Sequence, residues 1–275
     1  MRPRVGHIQF LNSLPLYYGL VKNDVLLDVD LVKGTPTELN RYLLEGSLDI
    51  SSISSIEYAR HHEELILMPN ISVSADGEVK SIYLFSKVPI EQLDGQPVAL
   101  TSTSATSQAL LQIIMRDKYG IKPRYFVSPP ELGSMLLEAE AALLIGDHAM
   151  RAAYQLKERL FVYDLGLEWK TLTGLGMVFA VWAIRKEFAT AQPDLAREVY
   201  HAFFKSMDYS LRNITAVAEN AARWEPFAME YLCDYFQTLR FSFGPNLQAG
   251  LLEYYRRAQT LGILKTVPEI KFLEV

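Results

Sequence analysis

Apolar and polar positions in the first third of the chain alternate between strand and helix spacing. Residues 48–55, LDISSISS, form a short apolar run typical of a buried strand. Residues 34–46, GTPTELNRYLLEG, show helical spacing, with Thr35 and Glu38 forming a capping box and Gly46 at the end. Further strands are predicted at residues 25–32, 65–75 and 79–87. This order predicts a βαβα unit with added strands and a largely parallel sheet.

Pro and Gly interrupt the pattern at residues 88–97, VPIEQLDGQP, and a second series of strands and helices begins there. An apolar strand follows in GLGMVFAVWAIR, and the remainder of the chain is helical. We therefore predict a discontinuous lobe I, residues 1–88 and 178–275, and an inserted lobe II, residues 89–177. A ligand is expected between the two lobes.

Composition and charge narrow the possible functions. The 275 residues are 49% hydrophobic and 21% charged, as in an ordinary globular protein. A net charge of -5 and the lack of a basic, aromatic-rich run argue against a nucleic-acid partner. No run approaches the ~18 apolar residues of a membrane span. The first residues, MRPRVGHIQF, do not resemble a secretion signal, which predicts a cytoplasmic protein, and the single cysteine, Cys233, has no internal disulfide partner.

Polar residues follow two predicted strands at positions where α/β sheets bind ligands. Asn12 and Ser13 come after the strand-like HIQFL. They are ordinary turn and capping residues, and the local sequence leaves a structural and a binding role equally open. A run of hydroxyls from Thr101 to Ser107 precedes a predicted helix. Because one hydroxyl is enough for a cap, this run favours a carboxylate site, and the absence of a glycine-rich loop argues against a nucleotide.

Gly146 and Asp147 end another apolar strand, where a carboxylate could orient a substrate or move a proton. An N-cap role for Asp147 is as well supported. His61 and His62, beside two glutamates, resemble a metal site in composition only, because adjacent helix residues do not face one target. No metal site is predicted.

Six segments, in order and across most of the chain, together resemble one known family. They are FLNSLPLYYGL, ISSIEYAR, VKSIYLFS, TSTSATSQ, GDHA and GLGMVFAVWAIR. The family is that of chorismate dehydratase in the futalosine route to menaquinone. The resemblance implies an α/β, two-lobed fold of the type II periplasmic-binding-protein kind, with a ligand cleft between the lobes. It also implies that Asn12, in the family's LN.LP motif, lies in that cleft and is important for catalysis.

The resemblance further implies dehydration of chorismate, a small dicarboxylate, without metal or organic cofactor. Asn12 would position the substrate, and the base would be the substrate's own enolpyruvyl carboxylate or Asp147. The residues predicted to bind substrate are Ser13, Ser54, Ser55, Ser81, Ser102, Thr103, Ser104 and Gly146.

Two other functions stay open. One is the sister activity, 1,4-dihydroxy-6-naphthoate synthase, for which His148 would be the corresponding histidine. The other is a solute-binding component of an importer, which shares the fold and performs no chemistry.

Overall fold

The computed structural model describes residues 2–22, 28–155 and 160–275. The strands are β1 Arg4–Ile8, β2 Asp30–Gly34, β3 Ile50–Ser54, β4 Leu65–Ala75, β5 Ile82–Ser86, β6 Pro97–Thr101, β7 Arg124–Ser128, β8 Ala141–Ile145, β9 Phe161–Asp164, β10 Met177–Arg185 and β11 Leu239–Arg240. The predicted strand at 25–32 lies partly outside the described residues, and β2 forms its end.

The helices lie mainly between the strands and at the end of the chain. They are α1 Leu14–Lys22, α2 Pro36–Leu44, α3 Ser55–Arg60, α4 Ala105–Asp117, α5 Leu132–Glu138, α6 Gly146–Tyr154, α7 Leu165–Thr173, α8 Lys186–Ala191, α9 Pro193–Arg212, α10 Ile214–Ala221, α11 Met229–Thr238 and α12 Pro245–Thr260. Single turns of tighter helix occupy Leu11–Ser13 and Ile90–Leu93. No helix among the described residues has the length and apolar character needed to span a membrane.

The strands form two sheets, ordered β11-β4-β10-β3-β1-β2 and β7-β6-β8-β5-β9. In the first sheet β1 is parallel to β2 and β3, but β10 is antiparallel to both β3 and β4. The prediction of a largely parallel first sheet is therefore wrong. The reason is that β10 enters from far along the chain and inserts between two strands that precede it, a pairing that local sequence does not encode.

The chain crosses between the sheets twice. Strand β5 pairs with β8 and β9, so the first crossing lies between β4 and β5, after Ala75 and before Ile82. The sequence analysis placed this boundary at residue 88, which lies between β5 and β6, two strands of the second sheet. We propose that lobe I contains residues 2–22, 28–75 and 177–275, and that lobe II contains residues 82–155 and 160–173.

Local capping explains where the helices around the crossings begin. Thr35 and Glu38 form the predicted capping box at α2, with Glu38 N donating to Thr35 Oγ1 at 3.3 Å. The same spacing at Ser54 and Glu57 does not form a box, because Glu57 accepts from Arg60 at 2.6 Å and Ser54 makes no side-chain cap. The Ser54 hydroxyl is therefore left without a capping role.

Helix α12 lies across both lobes and holds two helix starts together. The Tyr255 hydroxyl donates to Ser55 O at 2.6 Å, and the Tyr254 hydroxyl donates to Thr106 O at 3.0 Å. Tyr254 also packs edge to face on buried Trp169 of α7. These contacts place the starts of α3 and α4 side by side in the interior.

Candidate active site

A pocket with about 550 Å³ of space, open solvent included, lies between the two sheets. We call it the cleft pocket. Its apolar walls include Phe10 of lobe I and Ile145 of lobe II. Its polar lining consists of one amide and seven hydroxyl side chains: Asn12, Ser13, Ser52, Ser54, Ser81, Thr103, Ser104 and Ser107.

Five helices begin at this pocket. The lining residues Ser13, Ser54 and Ser104 immediately precede α1, α3 and α4, while Pro36 and Gly146 are the first residues of α2 and α6. The first turn of a helix has N–H groups without helical partners and carries the positive end of the helix dipole. Their convergence makes the pocket favourable for an anion.

No charged side chain appears among the described residues that line the cleft pocket. An anionic ligand would therefore be held by hydroxyl groups, an amide and peptide N–H groups, without a Lys or Arg counter-charge. Oriented neutral donors in a site shielded from water stabilise negative charge effectively, since they need little reorganisation.

The segment Phe10–Asn12 joins the lobes at one side of the pocket. Leu11 N donates to Asp147 Oδ1 of α6 at 3.0 Å. Phe10 also packs against Gly146, where φ is +57° and an added Cβ would lie 3.1 Å from the Phe10 ring. Glycine is thus needed at residue 146 both for its backbone conformation and for this close approach.

Asn12 faces the pocket with its orientation set by a neighbour. Ser13 Oγ donates to Asn12 Oδ1 at 3.2 Å. The carbonyl end of the amide is thereby engaged, which leaves the Nδ2 group to donate to a ligand.

Asp147 is buried but does not line the cleft pocket. It borders a second pocket of about 680 Å³, which we call the side pocket, together with His7, Tyr17, Trp224 and Glu225. Burial raises the pKa of Asp147 to about 6, against the opposing effect of the Leu11 N–H. The N-cap reading of this residue is wrong, because α6 begins at Gly146 and Ile145 holds the cap position.

The hydroxyl run Thr101–Ser107 serves both capping and the pocket. Ser104 Oγ accepts from Ser107 N at 3.1 Å and so caps α4, while Thr103, Ser104 and Ser107 line the pocket. Ser102 faces elsewhere: it is exposed, lines an outer groove, and accepts at its carbonyl from Thr37 Oγ1 at 3.1 Å.

The structure brings most of the predicted binding residues together. Asn12, Ser13, Ser54, Ser81, Thr103, Ser104 and Gly146 all line the cleft pocket. Ser55 does not, because its hydroxyl is used in the interior, donating to Val178 O at 2.8 Å. Ser102 and Asp147 also lie outside the lining.

The sequence analysis missed Ser52 and included Ser107 only as the end of the hydroxyl run, not as a binding residue. Strand alternation puts Ser52 on the same face of β3 as Ser54, and Ser107 lies three residues after Ser104 in the first turn of α4. Both positions could have been found by following these periodicities from the residues that were identified.

No histidine appears among the described residues that line the cleft pocket. His148 is exposed and absent from its lining. Within residues 2–22, 28–155 and 160–275, no three His, Cys, Asp or Glu side chains are grouped to hold a metal ion.

Solved structures of low sequence identity share the fold. A protein of Archaeoglobus fulgidus, AF1704, aligns with a TM-score of 0.79 and 19% identity, covering 96% of this chain and 98% of that one. The periplasmic aliphatic sulphonate binding protein SsuA of Escherichia coli aligns with a TM-score of 0.67 and 14% identity, covering 100% and 94%. The predicted periplasmic-binding-protein fold is confirmed.

Relatives identified by sequence indicate the family as well as the fold. A chorismate dehydratase of Thermus thermophilus is 39% identical over 203 residues, 68% of this chain and 72% of the relative. A 1,4-dihydroxy-6-naphtoate synthase of the same organism is 27% identical over 210 residues, 76% of this chain and 74% of the relative. A family model described as menaquinone biosynthesis matches residues 3–260. The chain belongs to this menaquinone biosynthesis family.

Proposed function

We propose that the protein is a chorismate dehydratase, a carbon–oxygen lyase that converts chorismate to 3-[(1-carboxyvinyl)oxy]benzoate and water. The observation that carries the proposal is the cleft pocket, where five helix starts and eight neutral polar side chains meet and the described lining holds no charged group. Such a site suits a small dicarboxylate. The 39% identity to the Thermus thermophilus enzyme favours this substrate among the small acids that could fit.

The two carboxylates of chorismate need two groups of donors. Thr103 and Ser104, at the start of α4, offer hydroxyls beside free helix N–H groups and would hold one carboxylate. Asn12 and Ser13 of lobe I and Ser81 would hold the enolpyruvyl side. Because these residues belong to different lobes, binding and lobe closure would occur together.

The reaction removes the hydrogen at ring carbon 3 as a proton and the hydroxyl at carbon 4 as water. The base takes the carbon 3 proton, the electron pair left on carbon 3 forms the new ring double bond, and the carbon–oxygen bond at carbon 4 breaks. The proton then passes from the base to the departing hydroxide, which leaves as water, and the base is regenerated. Aromatisation drives the step. Conjugation with the ring carboxylate spreads the developing negative charge, and the neutral donors around that carboxylate would stabilise it.

The base in this proposal is the enolpyruvyl carboxylate of the substrate. It lies in the same molecule as the carbon 3 proton, and Asn12 Nδ2 would hold it in position. The described residues that line the cleft pocket include no Asp, Glu or His, which supports this assignment. Asp147 is the alternative base because its raised pKa, about 6, suits proton transfer near neutral pH, although it borders the side pocket.

The direct test is to incubate the purified protein with chorismate in the presence of a chelator and follow loss of one water by mass spectrometry. Conversion supports the proposal. Tight binding of chorismate without turnover would identify a solute-binding protein instead. Turnover only of a cyclic futalosine derivative would identify the sister activity, for which the 27% identical synthase is the relative.

A further inference from the structure

Ser81, in the wall of the cleft pocket, has an unusually constrained backbone. The preceding residue, Lys80, has a φ of +57°, a left-handed conformation that costs energy for a residue with a side chain. The Asp164 carboxylate accepts from Val79 N at 3.0 Å and from Lys80 N at 2.8 Å. On the other side, Gly146 N donates to Ser81 O at 2.7 Å. The backbone around Ser81 is therefore fixed by two separate segments of lobe II.

Helix α11 lies directly behind this segment. Lys80 Nζ is 2.5 Å from Asp234 Oδ2, and the next residue of α11 is Tyr235. The Tyr235 side chain is 1% exposed. The ion pair between Lys80 and Asp234, the chain neighbours of Ser81 and Tyr235, brings the two segments together. Burial raises the pKa of the Tyr235 phenol, and the Ser81 hydroxyl acts in the opposite direction.

The Tyr235 hydroxyl is buried and has no hydrogen-bond partner among the described residues. Such a group is destabilising in a folded protein, since its hydration is lost without replacement, and it calls for an explanation. The neighbouring Ser81 hydroxyl makes one long bond, donating to Val79 O at 3.3 Å. A bond of this length is easily exchanged for a better acceptor.

We propose that Tyr235 is a positioning residue for substrate binding: its phenol donates to Ser81 Oγ and directs the Ser81 hydrogen at a substrate carboxylate in the cleft pocket. This inference rests on the proposed function, which supplies the carboxylate. A serine hydroxyl can donate once while accepting from another donor, so both bonds are compatible. A donor that itself accepts a hydrogen bond is polarised and binds an anion more strongly.

The test begins with Tyr235→Phe, which removes one oxygen atom and preserves the ring. We expect KM for chorismate to rise about fivefold with kcat within about twofold, because one hydrogen bond made equally in the ground and transition states is lost. The melting temperature should stay the same or rise, since an unpartnered buried hydroxyl is removed.

A double-mutant cycle with Ser81→Ala shows whether Tyr235 acts through Ser81. If it does, Tyr235→Phe raises KM in the wild-type background and leaves KM unchanged in the Ser81→Ala background. Equal effects in both backgrounds would overturn the inference.

Tyr58→Phe is the matched control. Tyr58 is also fully buried, but its hydroxyl donates to Glu269 O at 3.2 Å and accepts from Lys271 N at 2.8 Å, at the C-terminal segment. The control should lower the melting temperature and leave KM unchanged. If Tyr235→Phe behaves like this control, its hydroxyl has a structural role only and the inference is wrong.

The proposed function is tested separately by the wild-type protein in the same assay. A wild-type protein that converts chorismate, with an unchanged KM in Tyr235→Phe, would overturn the role of Tyr235 alone. A wild-type protein that neither converts nor binds chorismate would overturn the function, and the positioning role with it.

Discussion

The cleft pocket and the side pocket share the Phe10 side chain as a wall but have opposite chemistry. The cleft pocket has only neutral polar groups among its described lining. The side pocket, about 680 Å³ in volume, is bordered by Asp147, Glu225 and His7. Charged groups thus lie one residue layer behind the proposed binding surface, where they act on its position without repelling an anion directly.

Each ionisable group of the side pocket has an identifiable partner or protonation state. Glu225 accepts from Arg151 at 2.6 Å, which ties lobe I to α6. His7 stacks on Tyr17 with ring centroids 3.7 Å apart. Burial, assisted by the charge of Lys33, lowers the pKa of His7 to about 4, so the ring is neutral at pH 7. The two pockets therefore differ in the use of their polar groups. Helix starts supply the anion affinity of the cleft pocket, whereas Asp147 and Glu225 of the side pocket make bonds that join the lobes.

The largest effect is expected at the boundary between the two pockets. Asn12→Ala should lower kcat/KM for chorismate by roughly 10²-fold or more, because a preorganised donor to the reacting carboxylate is lost. Its melting temperature should match that of the wild type, because the Asn12 side chain bonds only to adjacent Ser13 among the described residues. The bond across the lobes is made by the backbone of Leu11, which the substitution keeps. Steady-state kinetics and a thermal melt on the same preparation measure both quantities. Near-normal turnover would contradict the catalytic role and leave Asn12 with a structural role in the turn.

The next largest effect is the pH dependence of stability caused by Asp147, which borders the side pocket. The pKa of Asp147, raised from 3.8 to about 6 by burial, means that the folded state binds a proton more tightly than the unfolded state. Stability from this group is therefore full below pH 3.8 and is lost as pH rises through about 6. One pKa unit corresponds to about 1.4 kcal/mol, so the charged carboxylate costs up to ~3 kcal/mol at pH 8.

Asp147→Asn removes this titration while keeping an oxygen that can accept from Leu11 N. Its free energy of unfolding should exceed that of the wild type at pH 8, with the difference vanishing near pH 4, as measured by denaturant titration across this range. Asp147→Ala is the control, since it loses the bond to Leu11. The amide variant also separates two roles: retained turnover indicates positioning of the Phe10–Asn12 segment, and abolished turnover indicates that Asp147 is the base.

Whether a structural feature can be predicted from the sequence depends on how far apart its partners lie along the chain. The Thr35 capping box was predictable because both partners lie within one helical turn. Ser54 and Glu57 have the same spacing but form no capping box, because Glu57 accepts from Arg60 instead, and this outcome depends on side-chain geometry. Similarly, β5 belongs to the second sheet through pairing with β8, about 60 positions later in the chain, which no local pattern reveals.

The candidate site follows the same rule. Strand ends and helix starts drew attention to Asn12, Ser81 and Ser104, and all three line one pocket. Adjacent hydroxyls such as Ser54 and Ser55 could not be distinguished, because neighbouring residues at a strand-to-helix turn point in different directions. The pairing of Asp147 with Leu11 across the lobes, and the ion pair of Lys80 with Asp234 that joins α11 to the segment of Ser81, depend on contacts between distant segments.

A smaller effect tests whether the cleft pocket must stay uncharged. Ser104→Asp keeps a good N-cap for α4, so the melting temperature should be maintained. The added negative charge faces the proposed dicarboxylate and should weaken chorismate binding tenfold or more in calorimetric titration.

Ser104→Ala provides the matched neutral change. It should cost about 1 kcal/mol of stability through loss of the cap, with a smaller loss of affinity than the aspartate variant. The double change of Thr103 and Ser104 to alanine should weaken chorismate binding further with only a small additional fall in melting temperature. Unchanged affinity in all three variants would place the carboxylate elsewhere in the pocket, beginning with Ser54 and Ser81.

The smallest effect is expected at the outer groove, where an exposed hydrogen bond joins α2 to the loop before α4. Thr37 Oγ1 of α2 donates to Ser102 O at 3.1 Å. Thr37→Val preserves the branched shape and helix propensity while removing the donor. Since a solvent-exposed bond contributes at most about 1 kcal/mol, KM should rise only about twofold, with kcat unchanged.

Thr171→Val is the control for this change, because its hydroxyl donates to Leu167 O at 2.8 Å inside α7 and joins no second lobe. It should leave KM unaltered. If both variants have the wild-type KM, the bond between Thr37 and Ser102 does not assist closure. The lobes would then be joined on the substrate side by the contact of Asp147 with Leu11 and the packing of Phe10 on Gly146, which places the control of closure at the wall between the two pockets.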